Sequence, residues 1–320
     1  MKITKSDTIV QVAKMYYLYD LNQNSIAEKL NISRSYVSKL LTEAKAQGIV
    51  KIEIVEPVRI ETQDEKKLRK YFGIDSVVIV PKSIEKVNTV QVGDVAGKYI
   101  GSLIKSGDTI GFSWGQTMYH TVAGMPERSD LEDLKTIQLC GGISNVKKNI
   151  FVEEISHMMT KKYGSVGYIL PFPAVVGNKQ LKNDILKEQS ARNIIDRVKD
   201  ADILVMTVGS WGKQSSVARA GYLSEKEVEQ LTRKGAVGDL FTHVIDINGN
   251  IVDKNLDDRT VAVSLDKLKD AEHRILIAVG VSKAEGIIAA IRTGVPNELI
   301  TNEETVEVIR SSHPEIFNEE

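Results

Sequence analysis

Apolar positions in the first sixty residues fall into three helical patterns followed by an alternating one. Ile9, Val12, Ala13, Tyr16 and Tyr17 recur at the spacing of one helix face between Ser6 and Tyr19. A shorter helix is expected over Asn24-Ser25-Ile26-Ala27-Glu28-Lys29-Leu30, interrupted by Asn31-Ile32-Ser33. Ser33 is placed to cap a third helix that keeps Val37, Leu40, Leu41 and Ala44 on its inner face and ends at Gly48. From Ile49 to Ile54 the pattern alternates, which predicts a short strand.

Pro57 closes this unit, so one domain is expected over 1–56 and a second over 57–320. The polar stretch Glu61 to Lys70 reads as a connecting helix within 57–72 more than as a packed element. Beyond it, strand-like runs at Ser76–Val80, Asp108–Ser113, Thr136–Leu139, Ile203–Val208, His243–Ile247 and Ile275–Val279 alternate with helical patterns. Such alternation predicts an α/β fold with a Rossmann-like, mostly parallel sheet covered by helices.

Charge divides unevenly. Residues 1–60 hold nine Lys or Arg and six Asp or Glu, a net +3, which leaves −4 for the rest of a chain whose total is −1. This mild asymmetry is compatible with a nucleic-acid-binding head on an acidic body. No apolar run reaches membrane-spanning length and no secretory leader is evident, so a cytoplasmic protein without membrane contact is expected. The single cysteine, Cys140, argues against a disulfide framework and a multi-cysteine zinc site, so no metal is expected.

Helix, tight turn, helix and strand is the order of a winged helix-turn-helix, whose second motif helix lies in the major groove. Arg34, Ser35, Tyr36, Ser38 and Lys39 would then face DNA, with Ser33 at the helix start and Gln23 and Asn24 on the backbone. Arg34 can bridge a guanine edge with two bonds, and Lys39 can neutralise phosphate. A three-helix docking module with a merely solvated polar face is the alternative.

In the larger domain, Asp108-Thr109-Ile110-Gly111-Phe112-Ser113-Trp114-Gly115-Gln116-Thr117-Met118 runs from a strand through glycines into a helix. Free amides at such a helix start form an anion site, so Ser113, Gly115, Gln116 and Thr117 are candidate phosphate ligands. A G-x-G-x-x-G fingerprint is absent, which counts against NAD, and no cofactor is expected. The same residues spell G-x-S-x-G, so a hydrolase with Ser113 as nucleophile and His243 or His273 as base is a second reading. Gly141 and Gly142 could line the same crevice. Asp239 could accept sugar hydroxyls, and Lys283 could balance phosphate charge.

In this order the pieces resemble the sorbitol-operon-regulator (SorC) family of sugar-responsive transcription factors, particularly its deoxyribonucleoside-regulator branch. The resemblance is carried by Asn24–Lys45, Gly107–Met118, Gly141–Ser144, Leu170–Val175, Ala236–Leu240 and Asp258-Arg259-Thr260. It implies a sugar-phosphate-binding domain similar to glucosamine-phosphate isomerases and deaminases, and homo-oligomers, dimers or tetramers, that bind operator duplex DNA and answer to a small phosphorylated sugar. By position it implies Gly111, Ser113, Gly115, Gln116, Thr117 and Lys283 around the phosphate, with Gly141, Gly142 and Asp239 at the sugar. A sugar-phosphate isomerase is the enzyme-class alternative. Some relatives resembling this chain carry a lysine able to form a Schiff base immediately before the Gly-Gly pair; here Cys140 stands there, and reversible binding is expected.

Overall fold

A computed structural model describes residues 4–50, 60–83, 87–143, 151–212 and 215–318. The chain divides into two compact units, 1–60 and 61–320. The boundary expected at 57 falls in 51–59, outside the described residues, as does most of the expected strand at 49–54.

The small unit holds α1 (Lys5–Tyr17), α2 (Gln23–Leu30) and α3 (Arg34–Ala46). Each start is fixed by a side chain that accepts an otherwise unpaired amide. Thr4 and Asp7 form a reciprocal capping box, Asn22 takes the Ser25 N–H at 2.9 Å, and Ser33 takes the Tyr36 N–H at 3.2 Å. Asn31 adopts a left-handed conformation (φ 50°) and returns its N–H to α2, turning the chain into α3. Ile9, Val12, Ile26, Val37, Leu40 and Ala44 close a small core between the three helices.

The larger unit begins with α4 (Gln63–Phe72), β1 (Ser76–Val80), α5 (Asn88–Leu103), β2 (Thr109–Phe112), α6 (Gln116–Gly124), β3 (Lys135–Gln138), α7 (Val152–Tyr163) and β4 (Val166–Tyr168). Next come α8 (Lys179–Lys187), α9 (Gln189–Arg197), β5 (Ile203–Met206), β6 (Val208–Ser210), α10 (Ser216–Arg219) and α11 (Glu225–Arg233). It ends with β7 (Ala236–Leu240), β8 (His243–Asp246), α12 (Lys254–Asp257), β9 (His273–Ile277), α13 (Ala284–Arg292), β10 (Glu298–Asn302) and α14 (Glu303–Ser312).

Seven of these strands form one parallel sheet in the order β1-β10-β9-β5-β2-β3-β4. Its centre is continuous apolar chain, with Ile203–Met206 and Ile275–Ile277 fully buried, as a sheet covered on both faces requires. Two expectations need correction. The run at His243–Ile247 is not a parallel member: β8 pairs antiparallel with β7, which pairs with β6 in a separate three-stranded sheet. The cause is the two-residue turn Phe241-Thr242, at φ 52° and 68°, which joins β7 to β8 as a hairpin. Nor is α4 a mere connector. Leu68 and Glu65 are fully buried, and the Glu65 carboxylate accepts the Ile79 N–H at 2.6 Å, fastening α4 to β1.

Candidate functional site

At the carboxyl ends of the parallel strands lies a cavity of about 170 Å³. Ser113 and Trp114 enter it after β2, Cys140 after β3, Thr207 after β5 and Val279 after β9, where open α/β sheets hold their ligands. Gly115, Gln116 and Thr117 line one wall; Asp239 and Lys283 line the cavity with them. Six of the candidate residues, Ser113, Gly115, Gln116, Thr117, Asp239 and Lys283, spread over 170 positions, thus line one cavity.

Gly115 sits at φ 112°, a conformation that only glycine adopts without strain, and turns the chain from β2 into α6. No side chain caps α6, and its first turn contains no acidic residue. Its free amides and positive dipole end are left for an external anion.

Asp239 is buried. One carboxylate oxygen accepts the Thr242 N–H at 3.3 Å, while Oδ1 has no partner among the described residues. Burial pushes its carboxyl up to about 6, only partly opposed by the Thr242 amide and by Lys283. Gly209 makes room for it: a Cβ there would lie 2.0 Å from Oδ1. Lys283 is half-buried, and burial lowers its ammonium to about 8, with Asp239 opposing and Arg219 reinforcing the shift. The Arg219 side chain reaches the same cavity from the end of α10.

Three expected residues do not line the cavity. Gly111 lies inside β2, where a Cβ would meet Leu204 at 2.6 Å and Leu139 at 2.9 Å, so it is a packing glycine of the sheet. Gly141 donates its N–H to the Val261 carbonyl at 2.8 Å, and Gly142 gives its own to Phe172 at 3.0 Å. A Cβ on Gly141 would strike the Phe172–Pro173 backbone at 2.6 Å. Their contribution is indirect, because the Gly141 carbonyl accepts the Trp114 indole N–H at 3.1 Å and so steadies the loop before α6.

Neither histidine expected as the base pairs with Ser113. Ser113 Oγ lies 3.3 Å from Thr207 Oγ1; His243 is held by Asp257 at 2.5 Å and the Val263 carbonyl at 3.0 Å, and His273 by Glu298 at 2.7 Å. The Cys140 thiol is wholly buried, and burial raises its pKa far above the ordinary range, so it is no ready nucleophile.

In the small unit, Ser33, Arg34, Ser35, Tyr36, Ser38 and Lys39 are exposed along α3, opposite buried Val37 and Leu40. Asn24 is exposed and Gln23 half-buried on α2. Arg34 and Lys39 form no ion pair or hydrogen bond among the described residues, which leaves both cations available.

Residues 57–309 match the Sugar-bind family model, described as "Putative sugar-binding domain". The chain is 32% identical to the deoxyribonucleoside regulator of Bacillus subtilis over 95% of its own length and 97% of that protein. The chain belongs to the SorC family of sugar-binding transcriptional regulators. The crystal structure of the full-length sorbitol operon regulator SorC from Klebsiella pneumoniae superposes with a TM-score of 0.75 at 28% identity, covering 96% of this chain and 99% of that one. The erythritol catabolism regulatory protein of Brucella abortus is 25% identical over 94% of this chain and 95% of its own. As a SorC-family member the chain is a DNA-binding regulator, and the match to full-length SorC takes in both units. None of the described helices is long and apolar enough to cross a membrane.

For this SorC-family chain the sequence reading passed over Arg219, Thr89, Thr207 and Ser210, all of which line the cavity. Arg219 ends a helix of four residues, too short to leave a periodic trace. Thr207 had a usable signal, since it follows the central strand β5 directly.

Proposed function

We propose that this regulator works in the cytoplasm as a homo-oligomeric repressor of a carbohydrate or nucleoside catabolic operon, released by reversible binding of a small phosphorylated sugar. The carrying observation is the opposed chemistry of one cavity. The bare start of α6, Lys283 and Arg219 call for an anion, while the orphan Oδ1 of Asp239 calls for a hydroxyl donor. A buried acceptor without a partner costs about 1–3 kcal/mol, a penalty that a ligand hydroxyl removes. A hydroxylated phosphate satisfies both demands at once; a simple anion or a neutral sugar satisfies one.

The exposed face of α3, with Arg34 toward its start, supports operator duplex DNA as the second partner. Regulator names among the relatives, together with Ser113 and the two best-placed histidines already engaged elsewhere, support a role without catalysis. No metal or cofactor enters this scheme.

A thermal-shift panel of pentose and hexose phosphates beside their unphosphorylated counterparts, esters and nucleotides tests the reading. At least one sugar phosphate raises the melting temperature well above its parent sugar, and an Arg219→Ala variant loses most of that rise. Equal shifts for sugar and sugar phosphate would sink it. So would a borohydride-stable adduct in mass spectrometry for the reversible part.

A further inference from the structure

We infer that the phosphate is held between two helix starts, α5 and α6, with the Thr89 hydroxyl and the first amides of α5 forming the second half of its cradle. This rests on the proposed sugar-phosphate reading of the same cavity and extends it to the wall formed by the start of α5.

Thr89 is the second residue of α5 and lines the cavity together with Gln116 and Thr117, the first residues of α6. Both helices begin without a side-chain cap and without an acid in the first turn. By contrast α4, α7, α11 and α14 each carry two acidic residues in their first turn; α9 also starts bare, but only α5 and α6 bring a bare start to this cavity. The carboxylate of Glu304, which reaches α5, is already occupied by Lys82 at 2.7 Å and by the Asn88 amide. An external anion is therefore the missing counter-charge for two long dipoles that open on one space.

A separate observation in the cavity also points to a ligand, the buried Oδ1 of Asp239 without a partner among the described residues. Asp239 supplies the hydroxyl contact and the helix starts supply the phosphate contact.

The two helices cross in close contact, from Gly93, where a Cβ would lie 2.7 Å from the His120 backbone, onward. A Cβ on Gly97 of α5 would lie 2.5 Å from the backbone of Gly124 and Met125, and one on Gly124 of α6 would lie 2.7 Å from Asp94 Cα. Backbone lies on backbone along this crossing, so a change in the spacing of the two helices changes the distance between their starts. Gly97 acts as a positioning residue, setting the width of the cradle without touching the ligand.

Inorganic phosphate is the probe, titrated by calorimetry against the full-length chain, with the sugar-phosphate panel as reference. Thr89→Val should weaken phosphate binding roughly tenfold, the size of one lost hydrogen bond to a charged group. Thr89→Ser, which keeps the hydroxyl, should restore it. Gly97→Ala should weaken phosphate at least as much while lowering the affinity for an unphosphorylated sugar far less; a general loss of structure would lower both alike. Should Gly97→Ala fail to fold, the Thr89 pair decides alone. Unchanged affinity in Thr89→Val overturns the inference and leaves α6 as the sole cradle. Failure of the wild type to bind either phosphate or any sugar phosphate overturns the pocket reading itself, which is a separate and distinguishable result.

Discussion

The two regions proposed to meet a partner are built in opposite ways. The surface proposed to face DNA lies within residues 23–39, on two successive helices whose starts are fixed by their own neighbours, Asn22 and Ser33. The cavity draws Thr89, Ser113, Thr207, Arg219, Asp239 and Lys283 from the ends of separate strands and helices across nearly two hundred residues. A surface produced by local periodicity exists as soon as one short unit folds. A pocket produced by topology exists only when the whole sheet has closed.

The largest effect that can break this contrast is expected from Leu40→Ala. Leu40 is fully buried in a core of nine described residues, and truncating such a leucine costs about 2–5 kcal/mol, a large share of what a small unit has in reserve. Operator binding should vanish and helical signal should fall, while the sugar-phosphate thermal shift of the larger unit persists. Loss of both activities together would show that the regions do not fold independently.

Next in size is Asp239→Asn. The folded carboxyl titrates near 6 against an ordinary 3.8, so it binds a proton more readily in the folded chain. Its contribution to stability is full below about pH 4 and is lost as pH rises through about 6, by up to about 3 kcal/mol. Above that pH the ligand-free Asn variant should be the more stable protein, yet it should bind sugar phosphate more weakly. Gly209→Ala should likewise weaken binding, since a methyl group there would lie 2.0 Å from Oδ1 and displace the carboxylate. Parallel melting-temperature profiles for wild type and Asp239→Asn between about pH 4 and 8 would refute the assignment.

How far each region was legible follows from the same contrast. Ser33 and the Val37–Leu40–Leu41–Ala44 face were readable because cap and period are local facts. Ser113 to Thr117 were readable because a strand, two glycines and a helix start are contiguous. Gly111, Gly141 and Gly142 misled: a glycine in or after a strand permits close approach of either a ligand or another part of the protein, and only the neighbours, Leu204, Leu139 and the Phe172–Pro173 backbone, decide which. The β7–β8 hairpin was hidden because its turn places Phe241 and Thr242, not Asn and Gly, at positive φ. Such a turn stores strain beside the cavity wall that both residues help to form.

Arg34→Ala sharpens the comparison from the DNA side. Arg34 is the first residue of α3 and exposed, so its guanidinium can reach a guanine edge with two bonds. Truncation should cost about 1–3 kcal/mol at the operator and relax preference at one base pair, with sugar-phosphate affinity unchanged. A binding-site selection experiment giving the same consensus for variant and wild type would remove Arg34 from the reading face.

The smallest expected effect is that of Lys39→Ala, and it separates reading from holding on the same helix. Lys39 lies about 1.4 turns beyond Arg34 on the exposed side of α3, with no ion pair among the described residues to compete for its charge. An ammonium on a flexible stem is a point charge that suits phosphate, and neutralising one phosphate releases about one counterion. Lys39→Ala should therefore weaken operator and random duplex by the same factor, so specificity stays constant. The slope of log affinity against log salt should shrink in magnitude by about one. Fluorescence anisotropy across a salt series measures both quantities. If specificity falls while the slope holds, Lys39 touches a base edge, and the face used for sequence reading extends a full turn further along α3 than Arg34 alone implies.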